Sequence, residues 1–125
     1  MRVLSIRQPW VELILQGKKT IELRTWNTKF RGEFLLHASK RVDDAGRAVA
    51  KKFGIELQSL EKGSIVGRAE LVDVIVYNSR EELLKDRHRH FASDARKYPV
   101  YGFVLKGVER LKPKKCKGRL GFFEV

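Results

Sequence analysis

The segment Ser64–Tyr77, SIVGRAELVDVIVY, is a long β-forming run, dense in valine and isoleucine, with Gly67 inside it. A strand of that length accumulates twist, and an internal glycine marks a bend or a close backbone approach. It predicts a strand that curves around a small barrel. Residues 2–7 read as a short first strand, residues 20–26 and 33–38 as two more, and residues 100–105 and 120–125 as the last two, joined by a lysine-rich loop over 112–119. Five or six strands interrupted by helices, with no regular βαβ alternation, predict an α+β fold built on a small mixed β-barrel with peripheral helices. At 125 residues the chain has the length of one domain, spanning 1–125.

The helices announce themselves by period and by caps. After the first strand, Pro9 is suited to a first helical position, and Trp10, Val11, Leu13, Ile14 and Leu15 form an apolar face broad enough to be packed into the core. Gly17 offers the left-handed cap that ends it. Asp43 is expected to cap a helix with an Ala45, Ala48, Val49 and Phe53 stripe, closed by Gly54. The Ser79–Glu82 spacing matches a capping box opening a helix that carries Leu83 and Leu84.

Charge narrows the partner class. Lysine and arginine number 27 against 15 acidic residues, a formal +12, so the surface carries a field that attracts polyanions. RNA or DNA is the expected partner class. No apolar run approaches the ~20 residues of a bilayer crossing, and residues 1–7 lack the sections of a signal peptide. The one cysteine, Cys116, lies among lysines and has no second cysteine to pair with. These features predict a cytoplasmic protein that acts away from membranes, with no cofactor and no metal.

The chemistry is concentrated in SIRQPWVELILQGKKTIELRTWNTKFRG, residues 5–32. Lys18 and Lys19 follow a helix end, where the last carbonyls favour cations. From Thr20 the pattern changes to period two: Ile21 and Leu23 point one way, Glu22, Arg24 and Trp26 the other. Lys19, Glu22, Arg24 and Trp26 are thus expected to line a groove.

The order QPW, GKK, ELRTWNT and RG resembles the ASCH domain family of PUA-like barrels, most closely the version found in activating signal cointegrator one. GSIVGRAELVDV and YGFVL are similar to the family's later strands. The resemblance implies a PUA-like barrel with a cleft beside the QPW helix that binds RNA or DNA. Carried onto this chain, the cleft residues would be Gln8, Pro9, Trp10, Lys19, Glu22, Arg24 and Trp26, with Lys18, Arg31, Lys114, Lys115, Lys117 and Arg119 as further basic contacts. Some ASCH-like proteins are amidohydrolases of N4-acetylcytidine that use a lysine, a threonine and a distant glutamate, and others are proposed to cut RNA. On that alternative Lys19 and Glu22 would be the catalytic pair. Lys19 matches the lysine, but Glu22 stands in the threonine's place, with Thr20 adjacent on the same strand face, and the distant glutamate has no clear counterpart, Glu70 and Asp94 being the candidates to stand in for it.

Several side chains carry two readings. Trp10 is a core residue or a stacking platform, and Trp26 a stacker or packing under a basic loop. Arg24 is a ligand contact or Glu22's structural partner. His37 is a satisfied core histidine or a base, and His88 and His90 are a solvated helix end or, with Asp94, metal ligands. Arg87, Arg89, Arg96 and Lys97 are phosphate contacts or ordinary surface.

Overall fold

A computed structural model describes all of residues 1–125. Its order is β1 (Arg2–Gln8), α1 (Trp10–Leu15), β2 (Ile21–Arg24), β3 (Gly32–Val42), α2 (Arg47–Lys52), β4 (Ser64–Tyr77), α3 (Arg80–Lys85), α4 (Arg87–His90), β5 (Val100–Lys115) and β6 (Phe122–Glu124). The strands form one mixed sheet in the order β2-β5-β4-β3-β1-β6, with only the β1–β3 pairing parallel. This is the α+β arrangement the sequence predicts. No helix is long and apolar enough to cross a membrane.

The sheet curls because β4 is bent. Its ladder with β5 shifts register near Gly67, where an added Cβ would lie 2.7 Å from the Glu109 carbonyl oxygen, so only glycine allows this approach. Curling gathers Leu4, Ile6, Phe34, Leu36, Ala69, Leu71 and Phe103 into one core, which α1 caps with Val11 and Ile14. The barrel is not closed by hydrogen bonds, since β2 and β6 stand at opposite ends of the strand order. Aromatic rings fill part of the seam: Trp26, just past β2, meets the edge of Phe122 on β6 at 5.7 Å and that of Phe103 at 5.3 Å.

Local signals behave as expected at the caps. Gly17 adopts φ 76°, which lets the N–H groups of both Lys18 and Lys19 reach the Leu13 carbonyl. Asp43 accepts from Ala45 N–H, and Ser79 from Glu82 N–H, although Glu82 reaches back to Asn78 rather than to Ser79. Pro9 occupies the capping position, one residue before the first helical one.

The expected loop over 112–119 needs correction. Strand β5 runs on to Lys115, with Lys114 and Lys115 laddered to Ile65 and Ser64, so only residues 116–121 form the connection. The last strand is also shorter than expected. It starts at Phe122 because Gly121 turns the chain at φ 64°.

Candidate functional site

Strand β6 pairs with β1 only over Arg2, Val3 and Leu4, so from Ser5 onward that edge of β1 has no strand beside it. The gap between this edge and β2 opens into a cleft of about 1140 Å³. Its floor holds Glu22 and Arg24 from β2, Trp26 just past it, and Ser5 and His37 from β1 and β3, while Trp10 and Asp43 form one end.

Glu22 sits opposite Phe103 and Arg24 opposite Tyr101 in the β2–β5 ladder, so both side chains share the inner face. Arg24 donates to Glu22 Oε2 through Nε at 3.2 Å and Nη2 at 2.9 Å, and Nη2 also donates to the Ser5 carbonyl at 2.9 Å. One guanidinium therefore ties β2 to the open stretch of β1. Its Nη1 makes no bond within the protein and is the donor left for a ligand.

Lys19 lies beneath this pair. Its ammonium donates to the carbonyls of Ile21 at 2.7 Å and His90 at 3.1 Å, lies 3.5 Å from Glu22 Oε1, and is covered by the Trp10 ring at 5.3 Å. Only 4% of its side chain is exposed. Burial lowers its pKa and the Glu22 carboxylate opposes that shift. The expected array is thus assembled in two layers: Glu22, Arg24 and Trp26 face the cleft, and Lys19 props them up from below. Lys19 is therefore buried under the cleft residues and is not part of the cleft lining.

Ser5 and His37 are register partners on the parallel β1–β3 pair. Ser5 Oγ is 2.5 Å from His37 Nδ1, and His37 Nε2 is 2.6 Å from the Cys116 carbonyl oxygen. The carbonyl only accepts, so Nε2 carries a proton, and in the neutral ring Nδ1 accepts from the Ser5 hydroxyl. Gly118 crosses directly over the pair: a Cβ there would lie 2.7 Å from Ser5 Oγ and 2.9 Å from His37 Cε1.

Above the floor the rim is cationic. Arg7, Lys40, Arg41, Arg96, Lys117 and Arg119 line the cleft, and none forms an ion pair within the protein. Besides Glu22, the carboxylates there are Asp43, which accepts from Trp10 Nε1 at 2.8 Å, and Asp94, which accepts from Tyr98.

Most of the other sequence-derived candidates lie outside the cleft. Gln8 is sealed, its amide donating to the Glu61 carbonyl and accepting from Glu12 N–H, and Pro9 is buried beside it. Lys18 is exposed on the helix side, bonded to Gln16 and lying over Phe53, and Arg31 is bonded to the carbonyls of its own turn. Lys114 and Lys115 are exposed on β5, ahead of the rim. Trp10 packs against the core while also lining the cleft, and its indole N–H is spent on Asp43. His88 is exposed, whereas His90 is buried with Nε2 on the Leu83 carbonyl and Nδ1 accepting from Ala92 N–H. Glu70 is exposed on β4, laddered opposite Lys106 and outside the cleft lining. Ser5, Arg7 and Arg41 were not among the expected contacts. The alternation Val3, Ser5, Arg7 opposite Leu4 and Ile6 is the signal that would have found the first two.

A model of the family described as the ASCH domain matches residues 4–114. Among solved structures, ASCH from Zymomonas mobilis aligns with TM-score 0.71 at 14% identity, covering 99% of this chain and 86% of that one. Two single-substitution variants of the same protein align with TM-scores of 0.71 and 0.65, at 14% and 17% identity, covering 99% and 91% of this chain and 87% and 74% of theirs. At such identities the likeness establishes the fold. Comparison with curated proteins gives no match.

Proposed function

Because the chain belongs to the ASCH domain family, with a fold of the PUA-like kind, we propose that it binds single-stranded nucleic acid, RNA in preference to DNA, in the cleft between β1 and β2. The observation that carries this reading is the rim: six cleft cations without an ion-pair partner, above a floor whose Arg24 and Glu22 offer a fixed donor and acceptor. Unpaired cations are free to neutralise phosphates, and the floor suits a base edge or, through the Glu22 carboxylate, a ribose 2′-hydroxyl. Trp26 and Trp10 border the same space as apolar walls. The resemblance to the cointegrator version belongs to this proposal, as does a cytoplasmic home, which suits the free thiol of Cys116. The test is a binding series against a fluorescent single-stranded RNA at rising salt. Affinity that falls steeply with salt in the wild type, and much less in Arg7→Ala/Arg41→Ala, supports the reading; no binding at low salt removes it.

One observation favours a second reading, a hydrolase of a modified nucleoside or an RNA phosphodiester. It is the Ser5 hydroxyl held 2.5 Å from His37 Nδ1 at the cleft floor, the geometry of an alcohol with a base beside it. Incubation with N4-acetylcytidine and with RNA tests it. Product that Ser5→Ala abolishes supports it, and absence of both deacetylation and cleavage eliminates it.

A further inference from the structure

The cleft has one feature that phosphate binding leaves unused. Leu120 stands on its rim, flanked by Arg119 and Gly121, and is 99% exposed, the most open large apolar side chain of the protein. Nearby residues of the connection are pinned. At its start, Cys116 N–H donates to the Gly63 carbonyl and the Cys116 carbonyl accepts from His37. Gly118 is pressed onto Ser5 and His37. At its end, Phe122 is wedged among Phe30, Phe34 and Trp26 at centroid distances of 5.2, 5.6 and 5.7 Å. In a continuing strand Leu120 would share the face of Phe122 and be buried with it. The left-handed turn at Gly121 breaks that alternation and sends Leu120 outward while Phe122 goes in.

An isolated exposed leucine needs no explanation. Here three further observations apply: a short connection fixed at both ends, a position over the cleft, and the unpaired cations Lys117 and Arg119 within three residues. Cations beside an apolar tip are what a strand with its bases turned out requires, charge for the backbone and an apolar surface for a base face. A duplex offers no such face without being unstacked, and apolar side chains that enter duplexes do so at the cost of unstacking them.

We propose that the connection 116–121 is a clamp whose tip, Leu120, packs on an unstacked base of a single strand held in the cleft, with Lys117 and Arg119 on the flanking phosphates. This rests on the nucleic-acid reading above. The experiment compares wild type, Leu120→Ala and Leu120→Phe for binding to a labelled oligoadenylate and to an abasic oligonucleotide of equal length and phosphate number. Because Leu120 packs against nothing, the variants fold as the wild type does, which melting temperature checks. Leu120→Ala is expected to weaken oligoadenylate binding by roughly fivefold, with Leu120→Phe restoring or exceeding wild type, while abasic binding and the salt dependence of both probes stay unchanged. Equal oligoadenylate affinity for Leu120→Ala and wild type overturns the clamp and leaves the salt-dependent cleft standing. An equal loss on the abasic probe also overturns it. Failure of the wild type to bind either probe at low salt removes the nucleic-acid reading, and the clamp with it.

Discussion

The guanidinium of Arg24 and the carbonyl oxygen of Ser5 are joined at 2.9 Å across the one opening in the sheet, where β6 has ended and β1 has no strand beside it. A side chain there does part of the work that a sixth, closing ladder would do. The same guanidinium holds the Glu22 carboxylate, so cleft floor and barrel seam are one construction.

Replacing Arg24 therefore acts on stability as well as on binding. Arg24→Met leaves Glu22 paired with Lys19 alone and the Ser5 carbonyl without its donor; a loss of about 2–4 kcal/mol is expected, since removing one partner of a largely buried pair strands the other charge. Urea denaturation measures it, and an unchanged midpoint contradicts the stitch.

Lys19 separates the two roles. Because it is sealed beneath the floor, Lys19→Met is expected to cost on the order of 3 kcal/mol in urea denaturation while the folded fraction binds RNA within about twofold of wild type. A variant that folds with full stability yet loses binding contradicts this assignment.

In the proposed binding mode the rim cations act through counterion release. For a single strand each phosphate neutralised contributes about 0.7 to the slope of log K against log salt, so Arg41→Ala and Lys117→Ala are each expected to lower the slope by roughly that amount. Titrations at four salt concentrations measure it; parallel lines for variant and wild type show that these side chains touch no phosphate.

His90 makes stability pH-dependent. Burial holds its imidazole below the ordinary 6.5, partly opposed by the Leu83 carbonyl, and Nδ1 must stay unprotonated to accept from Ala92. The unfolded chain takes up the proton first, so this stabilisation is complete above pH 6.5 and drains as pH falls toward the lowered folded value. The slope reaches at most about 1.4 kcal/mol per pH unit. Thermal melts between pH 8 and 5 should show it for the wild type and lose it in His90→Gln.

Gly118 is held to glycine by what lies beneath. The Ser5 hydroxyl can rotate from an added Cβ, but the His37 ring cannot, because both nitrogens are engaged. Gly118→Ala is expected to cost about 1–3 kcal/mol and to lift the connection 116–121, read as faster amide exchange at Cys116. Unaltered exchange shows that the connection does not rest on this pair.

Much of this was legible before any coordinates. The bounds of β4, the cap at Gly17 and the inward face of Glu22, Arg24 and Trp26 follow from period and glycine placement, which are local properties. The inward turn of Lys19 was not. It depends on the carbonyl of His90, 71 residues away, needing a donor at the point where α4 docks on β2. The Ser5–His37 contact exists only through a parallel pairing that no local pattern specifies. The end of β5 was hidden because Lys112, Lys114 and Lys115 are exposed and poor strand formers, held in place by the β4 ladder alone. Leu120 was misread because a period-two count passes straight through Gly121 and ignores its left-handed turn.

Phe122 is the ring on which Trp26, Phe30 and Phe34 converge, and it lies on β6, the last strand of the sheet in chain order. During synthesis the mouth of the barrel must stay unsealed until that residue leaves the ribosome, with sticky aromatic surface bare in the meantime. A nascent chain not yet extended to Phe122 would be a natural client for chaperones, since its aromatic surface stays bare until that ring arrives.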